Sequence, residues 1–337
     1  MEQSLKSIAK RVRLHVLLTV LVVFGIFLTL TYNAIAENAK AEAHARYVGI
    51  MNIASEKIGK TIRGMEMNAM NEFDEVEKHL DSPESVIAAL ESKTSLNPEV
   101  RGYFAAFEPD YFPQRGQWFE PYVHHVDSGN FEMRQVGGAR HNYHKSAWYV
   151  RAKQSSASFW SDPYYYYDGT NISGHYTTFV KPVFDAKGRL ACVCGADMTF
   201  EWITKELLHI DAKMKNNDLM NRYHKAGQAE FYTVVINNDG SCIAGPEGKK
   251  VVLSEASVKR DLMMGKSGVL ELTLNGEPSK VYFGPIEHVD WAVAVVVPVQ
   301  NVRQPLIGIG IMLLVAALLG MAVVWFVCGK LKNVETL

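Results

Sequence analysis

Hydrophobic positions along this chain change their spacing several times, and each change marks an element. From Leu14 to Ala36 no charged side chain appears, and Val16 to Leu28 is almost wholly apolar. A second uncharged run, rich in Ile, Leu, Val and Ala, extends from Gln304 to Gly329. About 20 apolar residues, rising ~1.5 Å each, cross a bilayer core, and both runs are long enough. A secretory leader carries a shorter apolar stretch, roughly 7–15 residues, before a small-residue cleavage site. Ala34-Ile35-Ala36 is only an isolated version of such a site, so the first run reads as a retained span.

Glu37 to Leu80 contains no proline and is rich in Ala, Glu, Lys and Met. Met51, Ala54, Ile58, Ile62, Met65, Ala69, Phe73, Val76 and Leu80 recur there at gaps of three and four, close to the helical period of ~3.6. The pattern predicts a long helix leaving the membrane, its stripe packed on a globular body or on a partner helix. Asp81-Ser82-Pro83-Glu84 then marks a stop and a restart. Ser82 suits an N-cap and Pro83 the first position of a short helix reaching about Glu91.

Strand-like patterns follow. Val100–Phe107, Trp118–Val123, Gly174–Phe184 and Leu190–Thr199 read as strands, the last two joined by the turn signal Ala186-Lys187-Gly188. A helix over Phe200–Ile210 leads to a polar linker around Lys213–Asn221. Tyr232–Ile236 runs into the turn Asn237-Asn238-Asp239-Gly240. Next come Ser241–Ala244, a helix near Ser257–Met264 and strands near Val269–Leu274, Ser279–Phe283 and Trp291–Val297. Antiparallel strands framed by helices predict an α+β fold. The expected boundaries are an N-terminus at 1–13, spans at 14–36 and 304–329 and a long signalling helix at 37–80. A membrane-distal module at 81–212, a membrane-proximal module at 213–303 and the start of a connector at 330–337 complete the chain.

Charge and residue chemistry narrow the function. Lys and Arg number 35 against 36 Asp and Glu, a net charge of −1, so no basic field points to nucleic acid. Lys6, Lys10, Arg11 and Arg13 crowd the outer flank of the first span, and Lys330 and Lys332 follow the second. Positive flanks stay in the cytoplasm. The expected location is therefore the inner membrane, crossed twice, with both termini cytoplasmic and about 270 residues in the periplasm. Cys192 and Cys194 share one face of a strand-like run and are awkward to bridge. With Cys242 and the membrane-borne Cys328 they form no disulfide framework. Small buried hydrophobes is the simpler reading, with a Cys192–Cys242 pair left open. A metal would need three or four converging ligands, which His124, His125, His141, His144 and His175 do not offer by spacing. No nucleophile elbow, P-loop, dinucleotide-binding glycine pattern or zinc-protease signature occurs. No catalytic residue, metal or cofactor is therefore expected, and the chain itself is not expected to be an enzyme.

The helix from Glu37, Trp148-Tyr149, the stretch Tyr164–Tyr167, Gly195-Ala196-Asp197 and the closing Trp291-Ala292-Val293 together resemble a double Cache sensor domain over about Ala36 to Arg303. That resemblance implies a long helix carrying two stacked PAS-like antiparallel-sheet modules between two transmembrane helices. Leu80-Asp81-Ser82-Pro83 and Phe107-Glu108-Pro109 are more narrowly similar to sensors of Bacteroidetes histidine kinases and protein-serine phosphatases. In the amino-acid-binding branch an Arg precedes a Trp-Tyr pair by two, a Tyr-x-Asp follows, and a later Asp closes the strand hairpin. Trp148 and Tyr149, Tyr166 and Asp168, and Asp197 match those positions, but Ser146 stands where the Arg belongs. Ser cannot supply a bidentate clamp on a carboxylate. The resemblance therefore implies a cationic amine or another small polar molecule rather than an α-amino acid.

The residue types point the same way. Aromatic faces at Trp148, Tyr149, Tyr164, Tyr166 and Tyr176, with Asp168 and Asp197, would make a cation cage. The plainer alternative is strand packing with wet hydroxyls. Alternation also splits the tyrosine run between two faces, so at most two of Tyr164–Tyr167 line one site. The function expected is a transmembrane signal-transduction receptor, a homodimer, that binds a small ligand outside the membrane and drives a cytoplasmic output. A chemoreceptor sensor region, or an anchored protein that docks a partner without a ligand, are the alternatives. Lys330 to Glu335 resembles the start of a HAMP-like or coiled-coil connector. That implies an output, kinase or phosphatase first, beyond Leu337 or on a partner.

Overall fold

The computed structural model describes residues 2–94, 100–127, 130–167, 173–216, 230–249, 251–253, 259–261, 264–274 and 276–334. Helix α1 runs unbroken over Glu2–Lys78, 77 residues, or about 115 Å at the α-helical rise. The expected first span and signalling helix are thus one element, because no proline interrupts them. Every member of the stripe from Met51 to Val76 is at most 4% exposed, and Leu80, just past the helix end, is partly buried. That stripe packs on this chain's own strands, so it presents no apolar face to a partner helix. Ser82 caps α2 (Pro83–Thr94), its Oγ accepting the Ser85 N–H at 3.1 Å.

Seven antiparallel strands form the first sheet: β1 (Gly102–Phe107), β2 (Pro121–Asp127), β3 (Asn130–Gln135), β4 (Phe159–Trp160), β5 (Tyr164–Tyr167), β6 (Ser173–Phe184) and β7 (Leu190–Thr199). Their order is β3-β2-β1-β7-β6-β4, with β5 also pairing β6. Between β3 and β4 lies a short helix, α3 (Ala147–Gln154). The strand expected at Trp118–Val123 begins only at Pro121. Before it, the Phe119 carbonyl accepts from the Phe107 N–H at 2.9 Å and the Phe119 N–H reaches the Tyr143 hydroxyl at 3.2 Å, so a side chain takes over from the ladder.

Helix α4 (Phe200–Lys215) carries the chain to the second sheet and takes in Lys213–Lys215 of the expected linker; Asp218 to Asn221 lie outside the described residues. Asp211 near its end accepts the Thr233 N–H at 2.9 Å and the Thr233 hydroxyl at 2.6 Å, tying α4 to the next strand. The second sheet contains β8 (Tyr232–Asn237), β9 (Cys242–Ala244), β10 (Gly268–Leu274), β11 (Glu277–Pro285) and β12 (Trp291–Pro298), in the order β10-β11-β12-β8-β9. Of the helix expected near Ser257–Met264, residues 259–261 are helical and the others lie mostly outside the described residues.

One core joins the two sheets along α1 and α4. Tyr103, Ala105 and Phe107 of β1 and Trp291, Val293 and Val295 of β12 belong to it, while the alternate residues of both strands face separate smaller cores. Cys192 and Cys194 are buried in the first sheet, their Sγ atoms 3.8 Å apart, and no disulfide joins cysteines among the described residues. A single residue, Val299, separates β12 from α5 (Gln300–Val334), whose stretch Pro305–Cys328 is long and apolar enough to cross a membrane. The α1 segment beginning at Lys10 meets the same test. The two helices pack together where the Tyr32 and Phe24 rings lie over Gly310 and Gly320, the close approach that small residues permit between spans.

Candidate ligand-binding site

On the face of the first sheet away from α1 lies a cavity of about 500 Å³, a size that encloses a small molecule. Phe104 of β1, Tyr122 of β2 and Asp197 of β7 form its floor. A Cβ on Gly195 would stand 2.1 Å from Phe104 Cζ. Only glycine therefore lets that ring lie across β7 beside Asp197. Helix α3 contributes Trp148 and Arg151, and β5 contributes Tyr164 and Tyr166.

Asp197 is buried, accepting from the Thr178 hydroxyl at 2.6 Å and from the Tyr164 hydroxyl at 3.3 Å. Burial pushes its carboxyl up to about 6, against the pull of the Thr178, Tyr122 and Tyr164 hydroxyls. Glu120, immediately before β2, is a second buried acid in the same lining. Burial raises it well above the usual carboxylate range, and the Asp197 charge adds to the rise. Its Oε2 lies 3.5 Å from His141 Nε2 and has no hydrogen-bond partner among the described residues.

Of the residues the sequence nominates, Trp148, Tyr164, Tyr166 and Asp197 meet in this cavity. Tyr164 and Tyr166 turn inward, whereas Tyr165 and Tyr167 are 62% and 64% exposed. Tyr149 is not in the lining. Successive residues of a helix point about 100° apart, so Tyr149 packs behind Trp148, its hydroxyl donating to Glu108 Oε1 at 2.7 Å. Tyr176 stands behind β5, its ring 6.3 Å from that of Tyr164. Asp168 lies outside the described residues. Ser146 is the residue before α3 and borders the cavity.

Sequence reasoning missed Glu120, His141 and Arg151. The Arg151 guanidinium lies over the Phe159 ring at 4.0 Å. Its signal was the spacing from Ala147, four residues earlier, which shares the lining with it once α3 is helical.

A second cleft of about 690 Å³ between the two sheets shares Arg151, Phe159, Ser161 and Asp162 with the first cavity, so β4 is the wall between them. From that wall Trp160 Nε1 donates to Glu66 Oε1 of α1 at 2.8 Å. Glu66 Oε2 lies 3.1 Å from Nδ1 of His288, in the β11–β12 turn, and the Arg63 Nε–H donates to His288 Nε2 at 3.0 Å.

Residues 86–205 match the family model "Methyl-accepting chemotaxis protein-like, first PDC sensor domain". Among solved structures, the extracellular domain of a protein named as a histidine kinase is similar at 19% identity and a TM-score of 0.61, covering 78% of this chain and 96% of that one. The periplasmic sensory domain of a Campylobacter jejuni chemoreceptor is similar at 15% identity and 0.61, covering 77% and 96%. The ligand-binding domain of the Pseudomonas fluorescens chemoreceptor CtaA, solved with L-leucine, is similar at 16% identity and 0.52, covering 80% and 99%. No curated protein sequence matches the chain. The region between the two apolar helices has the double Cache sensor fold, its first module matching a chemotaxis-type sensor domain.

Proposed function

We propose that this chain is the sensing part of a two-pass transmembrane receptor, and that its first module binds a small ligand carrying an ammonium group. The observation that carries the reading is Asp197, a buried carboxylate beneath the faces of Trp148, Tyr164 and Tyr166. An ammonium there donates charge-assisted hydrogen bonds to the acid and gains cation–π attraction from the rings. Occupancy would press on β4 and so on Trp160, α1 and the second module, whose last strand leads almost directly into α5. A ligand shifts that arrangement only through its different affinity for two states. In this reading both termini are cytoplasmic, the sheets are periplasmic, two copies work together and the output is a kinase or phosphatase.

Thermal shift of the full chain in lipid nanodiscs, against amines, amino acids, purines and small carboxylates, tests the ligand. A binder at a hundredfold excess over its Kd stabilises by about 2.7 kcal/mol, and an amine should do so in the wild type but not in Asp197→Asn. Absence of any shift from a folded chain favours the partner-docking alternative.

Arg151 favours a second reading, an α-amino acid. It restores to the lining a guanidinium able to hold a carboxylate, and relatives of this fold were solved with L-leucine and with asparagine. A shift from amino acids alone, lost in Arg151→Ala, would decide for it.

A further inference from the structure

We propose that the ligand of this cavity is a dication, a short diamine held at one end by Asp197 and at the other by Glu120. The inference rests on the amine reading above and deepens it. Strand β1 pairs Gly102 with Asp197 on one side and Phe104 with Tyr122 on the other. Glu120 is two residues from Tyr122, and both acids line the cavity. They therefore flank β1 from either side, two interstrand spacings or roughly 10 Å across the sheet and offset along it, since Asp197 is level with His124, four residues past Glu120. Their side chains reach toward each other over Phe104 and Tyr122, near enough for the Asp197 charge to raise Glu120.

A monoamine on Asp197 would leave Glu120 as it stands, buried and with Oε2 lacking a hydrogen-bond partner among the described residues. His141 Nε2, 3.5 Å away, makes no hydrogen bond to it, and burying a carboxyl oxygen without one is costly. A second ammonium at the far end removes that cost and gains a charge-assisted bond. Aliphatic amines are already protonated at neutral pH, so each carboxyl releases whatever proton it carries to solvent as the ammonium binds. The groups around Asp197 are Thr178 and Tyr176 of β6, Tyr164 of β5, Tyr122 of β2 and Glu120 itself, with the Arg101 guanidinium against Tyr176; His141 faces Glu120, and Arg151 and Asp162 stand at the mouth. Diamine affinity accordingly falls as the pH drops through the range in which the two acids take up protons.

The test is calorimetry on the full chain in nanodiscs at pH 7.5, with diamines of three to six carbons against monoamines of equal length. The best diamine is expected to bind on the order of 10- to 100-fold tighter than its monoamine and to release more protons, read from two buffers of different ionisation enthalpy. Glu120→Gln should bring that ratio to about one while monoamine binding persists. Glu120→Asp, which keeps the charge on a shorter arm, should move the preferred diamine one carbon longer. Equal affinity for both classes, an undiminished ratio in Glu120→Gln, or an unmoved optimum in Glu120→Asp overturns the dication while leaving the amine reading intact. Failure of every amine to bind overturns both.

Discussion

Asp197 takes up a proton in the folded chain near pH 6, whereas an unfolded aspartate does so near ~3.9. The folded state therefore holds more protons between those values. The stability contributed by Asp197 is fully present below about pH 4 and is lost as the pH rises through about 6, a difference on the order of 3 kcal/mol. The ligand-free wild type should accordingly gain melting temperature, relative to Asp197→Asn, when the pH falls from 7.5 to 5. Scanning calorimetry of both chains checks the sign, and parallel profiles would refute it. Asp197, Trp148 and Tyr166, which meet in the cavity, were nominated chiefly because they match positions that the resemblance to double Cache sensors implies, and Tyr164 was added because aromatic faces beside an acid suit a cation. Glu120 was not, since it sits in an irregular lead-in that reads as ordinary strand.

At the level of elements, α1 was the easiest to read, because one stripe at gaps of three and four faces a continuous core. Phe73 at its upper end packs on Tyr103 and Phe179. Phe73→Ala should cost about 3–5 kcal/mol, measured as the shift in denaturation midpoint of the full chain, and a change under about 1 kcal/mol would deny that packing. Strand β3 escaped notice because its side chains alternate only between exposed and half-buried positions, leaving no apolar face to detect. Helix α3 escaped because eight residues give barely two turns, too few to establish a period. That omission concealed Arg151, whose place in the lining depends on the helix being there.

Across the whole molecule, Trp160 of β4 links the cavity wall to the second module in two ways, through Glu66 to His288 and by its ring, 6.4 Å from that of Trp291. Trp160→Phe keeps the ring and removes the donor to Glu66. Ligand affinity should stay within about threefold, less than one ordinary hydrogen bond supplies, while ligand-induced hydrogen-exchange protection of the β11–β12 turn disappears. Protection that survives in Trp160→Phe would send the coupling by another route. The unbroken course of α1 has its own mechanical consequence. A rod with no joint is a lever without slack, so a shift or twist imposed on its upper part through the first sheet would be carried to its N-terminal end. Ala41 and Ala45 are exposed positions on it, on the stretch whose His44 packs on Tyr282 of the second module. Replacing both with glycine, at about 1 kcal/mol each in helix stability, would give the rod a soft joint. The altered chain should still grip its ligand fully, and the far end should cease to feel it.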